Sequence, residues 1–426
     1  MMVPQPNDKI VIVGAGCFGI STAYHLLKRG FTDVTVLDRS PTLPARDAAS
    51  SDFNRVVRSA YSDIFYTKLA REAIHSWKDK SEWEDSYHQC GVLVLGSSDN
   101  KEQTYTEDSF HNDVKVGAAL QKLPDGRAIR GIFPPEVRAA GFNKNAGYIN
   151  FDGGWANATQ GLAMMTSKVM SLKGKVVASK NVIKIIRHNG RMTGVECSDH
   201  TFYDASLLVV ATGSWTHSAF PELKVGSRCL ATGQCVAMMH VTSEEAKVYN
   251  DCPVVLDLST GFYVFPPTDQ GIIKMAIHLP GYTRMIEGIS TPWTVVDDPD
   301  RGLLVPRTNL QALRKCLREV YPVLAEKPFS ATRLCWYNDS PDGNWIIGRD
   351  PADSSIMFAT AGSGHAYKFL PVIGRLVADA IQETLDPSIH DKFAPDRQYS
   401  SHDESRSGFR AELDLHELCE ATDLLP

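Results

Sequence analysis

Residues 9 to 13, "KIVIV", form an apolar run rich in β-branched side chains, the pattern of a strand buried on both faces. "GAGCFG" follows at 14 to 19, then "ISTAYHLLKRG", where Ile20, Ala23, Leu26 and Leu27 recur at helical spacing. Gly30 stops that helix, and "DVTVLD" at 33 to 38 reads as a second buried strand ending on an acid. This is a complete β-α-β unit. Further along, "GYINFDGGWANATQGLAMMTSKVM" runs from a strand through a glycine turn into a long helix. "KVVASKNVIKIIRHNGRMTGVEC" reads as strands joined by a hairpin turn at Asn189 and Gly190. "SLLVVATGSW" at 206 to 215 is another buried strand, ending in small residues. "GQCVAMMHV", "GFYVFPP" and "GIIKMAIHLPGYT" alternate like strands of an antiparallel sheet. The final third returns to strand, glycine loop and helix in "SIMFATAGSGHAYKFLPVIGRLVADAIQETL". Residues 97–130 are polar and read as surface loop and helix. Residues 396–426 are polar and acidic, with Leu413, Leu415 and Leu418 placed to dock a short terminal helix.

Two α/β segments separated by antiparallel strands imply an α/β (α+β) protein with a discontinuous Rossmann-like domain and a second domain inserted twice. The expected nucleotide-binding domain comprises residues 1–88, 151–224 and 330–395. The substrate domain comprises 89–150 and 225–329, and 396–426 form a C-terminal tail. There are no internal repeats.

Composition narrows the function classes. The 426 residues suffice for two substantial cores, and the 43% apolar and 22% charged shares are those of a globular protein. A net charge of −6 argues against a nucleic-acid or polybasic membrane partner. No apolar run approaches the roughly 20 residues of a membrane span. The nine cysteines are scattered, without C-x-x-C or zinc spacing, which suits a reducing compartment. With no H-E-x-x-H either, no metal is expected. "KIVIVGAG" lacks the leader and cleavage site of a signal peptide, and the final "LLP" is not a peroxisomal address. The expectation is a cytoplasmic monomer.

Gly14, Gly16 and Gly19 fit G-x-G-x-x-G in its strand–turn–helix context. The first glycine permits the turn, the second admits a pyrophosphate, and the third lets helix and strand pack closely. The helix N-terminus offers free N–H groups to phosphates. Asp38, 19 residues after Gly19, stands where a carboxylate accepts hydrogen bonds from a ribose. Because the α/β pattern is interrupted, FAD is favoured over NAD. "LLVVATGSW", with Ala211, Thr212 and Gly213 at its end, resembles the second glycine motif of FAD proteins of the glutathione-reductase type.

From residue 9 to about residue 390 the chain resembles the flavin-dependent amine oxidases: monomeric sarcosine, pipecolate and saccharopine oxidases and the fructosyl amino acid oxidases, or amadoriases. The resemblance is carried in order by "VIVGAGCFGISTAYHL", "RVVRSAY", "FYTKLA", "HQCGVLVLG", "GWANA", "VVATGSW", "IIKMAIHLPG", "CWYNDSPDGNWIIGRDP" and "GSGHAYKFLPVIG". It implies covalent FAD through Cys335, with Gly362 and Gly364 in a loop beside the cofactor. It further implies that Arg58 and Lys368 hold a substrate carboxylate, Lys368 also lying near the flavin, and that Arg55 faces the flavin. Lys274 is implied as the lysine that assists oxygen. His278 coincides with a histidine of the sarcosine branch, with an active-site role and a core role both open. Tyr337 is expected to line the same cavity, and Trp336 to pack.

The chain departs from the amadoriases where they carry acidic residues after the oxygen-activating lysine, since "AIH" stands there, and Arg58 is not an amadoriase feature. Ala366 replaces the second glycine of the family's G-H-G. The activity implied is oxidation of a secondary or tertiary amine bearing a carboxylate, with hydride transfer to flavin N5, an imine product and O2 reduced to H2O2. The alternatives are deglycation of Amadori compounds and a biosynthetic oxidase whose iminium is trapped to close a ring. From other classes, a flavin dehydrogenase with a protein acceptor would lack Lys274. A non-catalytic FAD module would not need the set Arg55, Arg58, Lys274, Cys335 and Lys368.

Overall fold

The structure, a computed structural model, describes residues 3–98, 104–399, 402, 403, 405, 406 and 408–426. Part of the polar stretch read as surface (99–103) and four residues of the tail (400, 401, 404 and 407) lie outside that set.

A six-stranded sheet forms the first half of the molecule. Its strands run in the order Ile346–Asp350, Asp353–Thr360, Leu207–Val210, Ile10–Val13, Val34–Leu37, Lys175–Val177. All pairings are parallel except that of the edge strand Ile346–Asp350. The central strand explains its unbroken apolar run. Ile10 and Ile12 pack on the side of Ile20, Ala23 and Leu26, while Val11 and Val13 pack against Val195 and Phe220 on the other. Both faces are covered, so neither set of alternate side chains can be polar. The helix Cys17–Lys28 packs with Ala158–Ser171 and Ile373–Ile381 on one face. A three-stranded antiparallel sheet, Val182–His188, Arg191–Cys197 and Phe202–Asp204, covers the other. Its hairpin turns at Asn189 and Gly190, with φ of 50° and 79°, as a two-residue turn of this twist requires.

The second half is a ten-stranded, largely antiparallel sheet. From one edge it runs Ala411–Glu412, Tyr282–Thr283, Leu230–His240, Ile272–Ile277, Phe262–Val264, Val254–Asp257, Val92–Ser97, Asn145–Asn150, Leu120–Leu123. The tenth strand, Ala331–Asp339, pairs with Leu230–Met238. That pairing places residues 331–339 in this sheet, not in the nucleotide-binding part where the sequence reading put them.

The polar 97–130 region contains the helices Tyr105–Lys115 and Gly126–Arg130 and the edge strand Leu120–Leu123. In the tail, Leu413 and Leu418 are buried in the core of the large sheet and Leu415 packs against it. The short terminal helix expected there takes the form of two 3-10 turns, Leu415–Glu417 and Ala421–Leu424. The tail also contributes the edge strand Ala411–Glu412 to that sheet. Among the described residues no helix is long and apolar enough to cross a membrane.

Candidate active site

At the carboxyl end of Ile10–Val13 the chain turns through Gly14, whose φ is +105°. A Cβ there would lie 2.4 Å from Ala211 O, and one on Gly19 would lie 1.9 Å from Gly14 O. Only glycine lets this turn lie against both the neighbouring strand end and the helix. The turn borders a cavity of about 360 Å³. Gly14, Gly16, Asp38, Ala211, Gly213, Gly362 and Gly364 all line it. Asp38 Oδ2 accepts from Ala15 N at 2.8 Å and Oδ1 from Ser40 N at 2.9 Å. Each oxygen keeps a lone pair for a ribose hydroxyl. Burial raises the Asp38 pKa against the pull of those two N–H groups. A turn that admits no side chain, a helix N-terminus and a carboxylate with spare acceptors fit an adenine dinucleotide.

A second cavity, about 340 Å³, shares Arg55, Tyr337, Gly364, His365 and Tyr367 with the first. Strand alternation brings Tyr337 into its lining. In Ile272–Ile277, Ile273, Met275 and Ile277 fill one core, while Lys274 and Ala276 point to the other face. In Ala331–Asp339, Leu334 and Trp336 fill that same first core, leaving Cys335 and Tyr337 on the face of Ala276. Both faces of these strands are therefore buried. Lys274 is not on an exposed strand face. It is 0% exposed.

Three charges meet beneath the junction of the cavities. Lys274 Nζ donates to Asp52 Oδ2 at 2.9 Å and to Asn54 O at 2.5 Å. Arg55 Nη2 lies 3.0 Å from Asp52 Oδ2 and donates to Cys335 Sγ at 3.1 Å. Burial drives the Lys274 pKa down to about 8, with Asp52 resisting and Arg55 adding to the fall. Burial alone would raise the Asp52 carboxyl, but Lys274 and Arg55 outweigh it and hold the group well below the carboxylate range. Neither Lys274 nor Cys335 lines either cavity. Cys335 reaches them through Arg55, and Lys274 through the Phe265 ring and, by way of Asp52, Arg55. Asn54 is fully buried, and neither of its side-chain polar atoms has a hydrogen-bond partner among the described residues.

The second cavity carries two further cations. Arg55 lies in the short strand Arg55–Val57, paired with Gly154–Ala156, and Arg58 follows directly, so one strand delivers both arginines to the cavity. Arg58 Cζ sits 4.5 Å above the Tyr61 ring, and its Nη1 is buried without a hydrogen-bond partner. Lys368, in the 3-10 turn Tyr367–Phe369, donates to Tyr61 Oη and to His365 O, each at 2.8 Å. Burial and Arg58 lower its pKa well below that of a free lysine. Tyr61 Oη lies 3.2 Å from His365 Nδ1, while His365 Nε2 lies 3.0 Å from Gly343 O. A carbonyl only accepts, so His365 carries its proton on Nε2, and Tyr61 donates to Nδ1. Other charges at this cavity are paired: Lys392 with Asp63 at 2.6 Å and Arg397 with Asp342 at 2.8 Å. Among the described residues, neither Arg58 nor Lys368 has a carboxylate partner.

His278 lines this cavity too. Trp336 borders the first cavity while donating to Trp293 O at 2.8 Å, so it packs and lines at once. Sequence reasoning missed Asp52 and Arg406. Asp52 sits three residues before Arg55, a spacing that was there to be noticed. Arg406 lay in a stretch read as tail.

A model of the FAD dependent oxidoreductase family matches residues 9–380. The chain belongs to this family. L-saccharopine oxidase of Schizosaccharomyces pombe is 31% identical over 407 residues, covering 87% of this chain and 89% of that protein. The amino acid oxidase imqH of Aspergillus flavus is 27% identical, covering 90% and 94%. Among solved structures, the deglycating fructosamine oxidase Amadoriase II of Aspergillus fumigatus superposes with a TM-score of 0.85 at 26% identity, covering 98% of this chain and 97% of that one. For a member of the FAD dependent oxidoreductase family, the glycine-lined cavity is where the residues present fit the cofactor, and the adjoining cavity is open to a second ligand.

Proposed function

We propose that the protein is an FAD-dependent oxidase of a secondary or tertiary amine that bears a carboxylate, an N-substituted amino acid. The observation that carries this reading is the pair of Arg58, half-buried with its Nη1 enclosed, and Lys368, buried, in a cavity that adjoins the dinucleotide groove and facing no carboxylate of the described chain. An unpaired buried charge costs several kcal/mol, so such a pair is built for an anion supplied from outside. A carboxylate beside Lys368 restores the charge that burial takes from it. Arg58 can meet the same group with two parallel N–H donors.

The bound cofactor's chemistry is to take two electrons from the amine and deliver them to O2, giving an imine and H2O2. The chain's own residues do the rest. Arg58 and Lys368 orient the acid. Tyr337 and Tyr263, both buried, wall the cavity against water. Asp52 keeps a proton on Lys274, whose charge with Arg55 leaves a net positive site beside the cofactor groove. Cys335 is proposed as the covalent anchor, supported by its sulfur standing 3.1 Å from Arg55, which lines both cavities. Acid-precipitated protein should stay yellow, and Cys335→Ala should release its FAD to the supernatant. If wild-type precipitate gives up all its flavin, Cys335 is one more buried thiol. A cytoplasmic setting is supported by nine cysteines that are all free thiols.

A second reading, oxidation of fructosyl amino acids, is favoured by the likeness to Amadoriase II and by a cavity lined by six tyrosines. The volume, at the lower end of the roughly 300–1,000 Å³ of ligand pockets, leaves room beyond an N-methyl group. The test is peroxide production from a panel of N-alkyl amino acids, saccharopine-like secondary amines and fructosyl amino acids. Turnover of the first two classes is expected. Turnover of fructosyl compounds alone overturns the first reading in favour of the second, and no peroxide from any overturns both.

A further inference from the structure

Arg406 stands behind the lining of the second cavity, in a C-terminal segment whose Asp403 and Ser405 line it, and is almost completely enclosed, its side chain 5% exposed. Nη1 and Nη2 donate to Asp339 Oδ2 and Oδ1 at 2.6 and 2.8 Å, a two-pronged clamp, and Nη2 also donates to Ser363 O at 2.9 Å. Nε donates to His278 Nε2 at 3.1 Å and also lies 2.9 Å from Asp403 Oδ2. Since Asp339 already neutralises it, Arg406 is not free to bind a substrate anion as Arg58 is.

Its effect on His278 is definite. A guanidinium has no acceptor, so His278 Nε2 must offer its lone pair, and a neutral ring then carries its proton on Nδ1. Ser405 Oγ, 3.3 Å from the same Nε2, donates to Asp403 Oδ1 at 2.5 Å. Nδ1 makes no hydrogen bond to any described residue. The charged and titratable groups that face the ring are Arg406 and Asp403 from the tail, Arg58 beyond its strand, His365 and Lys368 from the glycine loop, and Asp339 behind Arg406. Tyr337 packs against it, ring centroids 6.1 Å apart. Burial, then Arg406, Arg58, His365 and Lys368, all push its pKa well below that of a free histidine.

We propose that Arg406 is a positioning residue that holds His278 as its Nδ1–H tautomer, so that the ring presents one neutral N–H donor to an acceptor oxygen of the substrate. The inference rests on the second cavity being the substrate site. It makes the C-terminal segment a working wall of that site, with His278 grading a carbonyl, carboxylate or hydroxyl oxygen next to the cations.

The test uses the full-length holoenzyme labelled with 15N-histidine, with ring nitrogen shifts recorded from pH 5 to 8 and kcat/KM profiled over the same range. In the wild type, the His278 signals, assigned by their loss in His278→Asn, should be those of a neutral Nδ1–H ring throughout. Arg406→Met removes both the cation and the donor and leaves Asp339 unpaired, so His278 should then titrate between pH 5 and 7. The kcat/KM of that variant should fall about tenfold or more from pH 8 to pH 5, and His278→Asn/Arg406→Met should lose the new inflection. An Nε2–H ring in the wild type overturns the proposal. So does an Arg406→Met profile that is lower but parallel to wild type. If that variant does not fold, the wild-type ring shifts decide alone. They are read without turnover, so an enzyme inactive on every amine would sink the proposed function and leave this result standing.

Discussion

Replacing Lys274 by methionine is expected to slow oxygen consumption by roughly 10²–10³-fold or more, while anaerobic bleaching of the flavin by substrate changes little. The side chain is fully buried, and with Arg55 and Asp52 it forms a cluster of net charge +1. In a dry interior such a cation stabilises negative charge developing on oxygen far more than in water. Methionine keeps the length and apolar stem, and Asp52 retains Arg55 at 3.0 Å, so the fold should persist. The pH dependence follows from the same contacts. The ammonium is present below about 8 and lost above it, because burial lowers its pKa to about that value. Wild-type oxygen reactivity should therefore fall as pH rises through 8. Asp52→Asn removes the charge that holds the proton on, and should move that fall to lower pH. Stopped-flow mixing of reduced enzyme with oxygen reads both effects. An unchanged rate in Lys274→Met would remove this lysine from the oxygen step.

Loss of Arg58 or Lys368 should weaken substrate binding by about 2–5 kcal/mol, because the carboxylate is left underpaired in a site that excludes water. FAD content should not change, since neither side chain lines the glycine-rich cavity. The cycle that isolates the contact uses an ester or amide of the best substrate. Wild-type enzyme should lose a similar amount on that analogue, and Arg58→Ala should lose little more, because the interaction is already gone. Arg55→Ala should behave differently, disturbing the flavin spectrum and the reduction rate more than affinity, as expected of a group that reaches Cys335 and Asp52. Esters turned over as well as free acids would show that these cations face something other than a carboxylate.

The parts of this protein that its sequence determines are those decided within a few residues. The β-α-β unit at 10–37 is legible because each choice is local. Alternate apolar residues serve two buried faces, and Gly14 and Gly19 stand where a Cβ would strike backbone. The Asn189–Gly190 turn is legible for the same reason, as both residues must take positive φ. Family motifs extended that reach to Arg55, Arg58, Lys274, Cys335 and Lys368 as residue types, without their environments. What only the tertiary structure decided rests on contacts between distant segments. Lys274 meets Asp52 across 222 positions, and Arg406 meets His278 across 128. The strand Ala331–Asp339 reads as α/β by its neighbours in sequence, yet pairs with Leu230–Met238. Hydropathy cannot tell a buried lysine from an exposed one when both faces of its strand are covered, because the counter-charge that makes burial tolerable lies on another element. Nor can a polar tail announce that Arg406, enclosed behind the second cavity, holds a histidine of its lining. The partners that fix that arginine, Asp339, Ser363 and His278, are brought together only when the sheet and the glycine loop have closed around it.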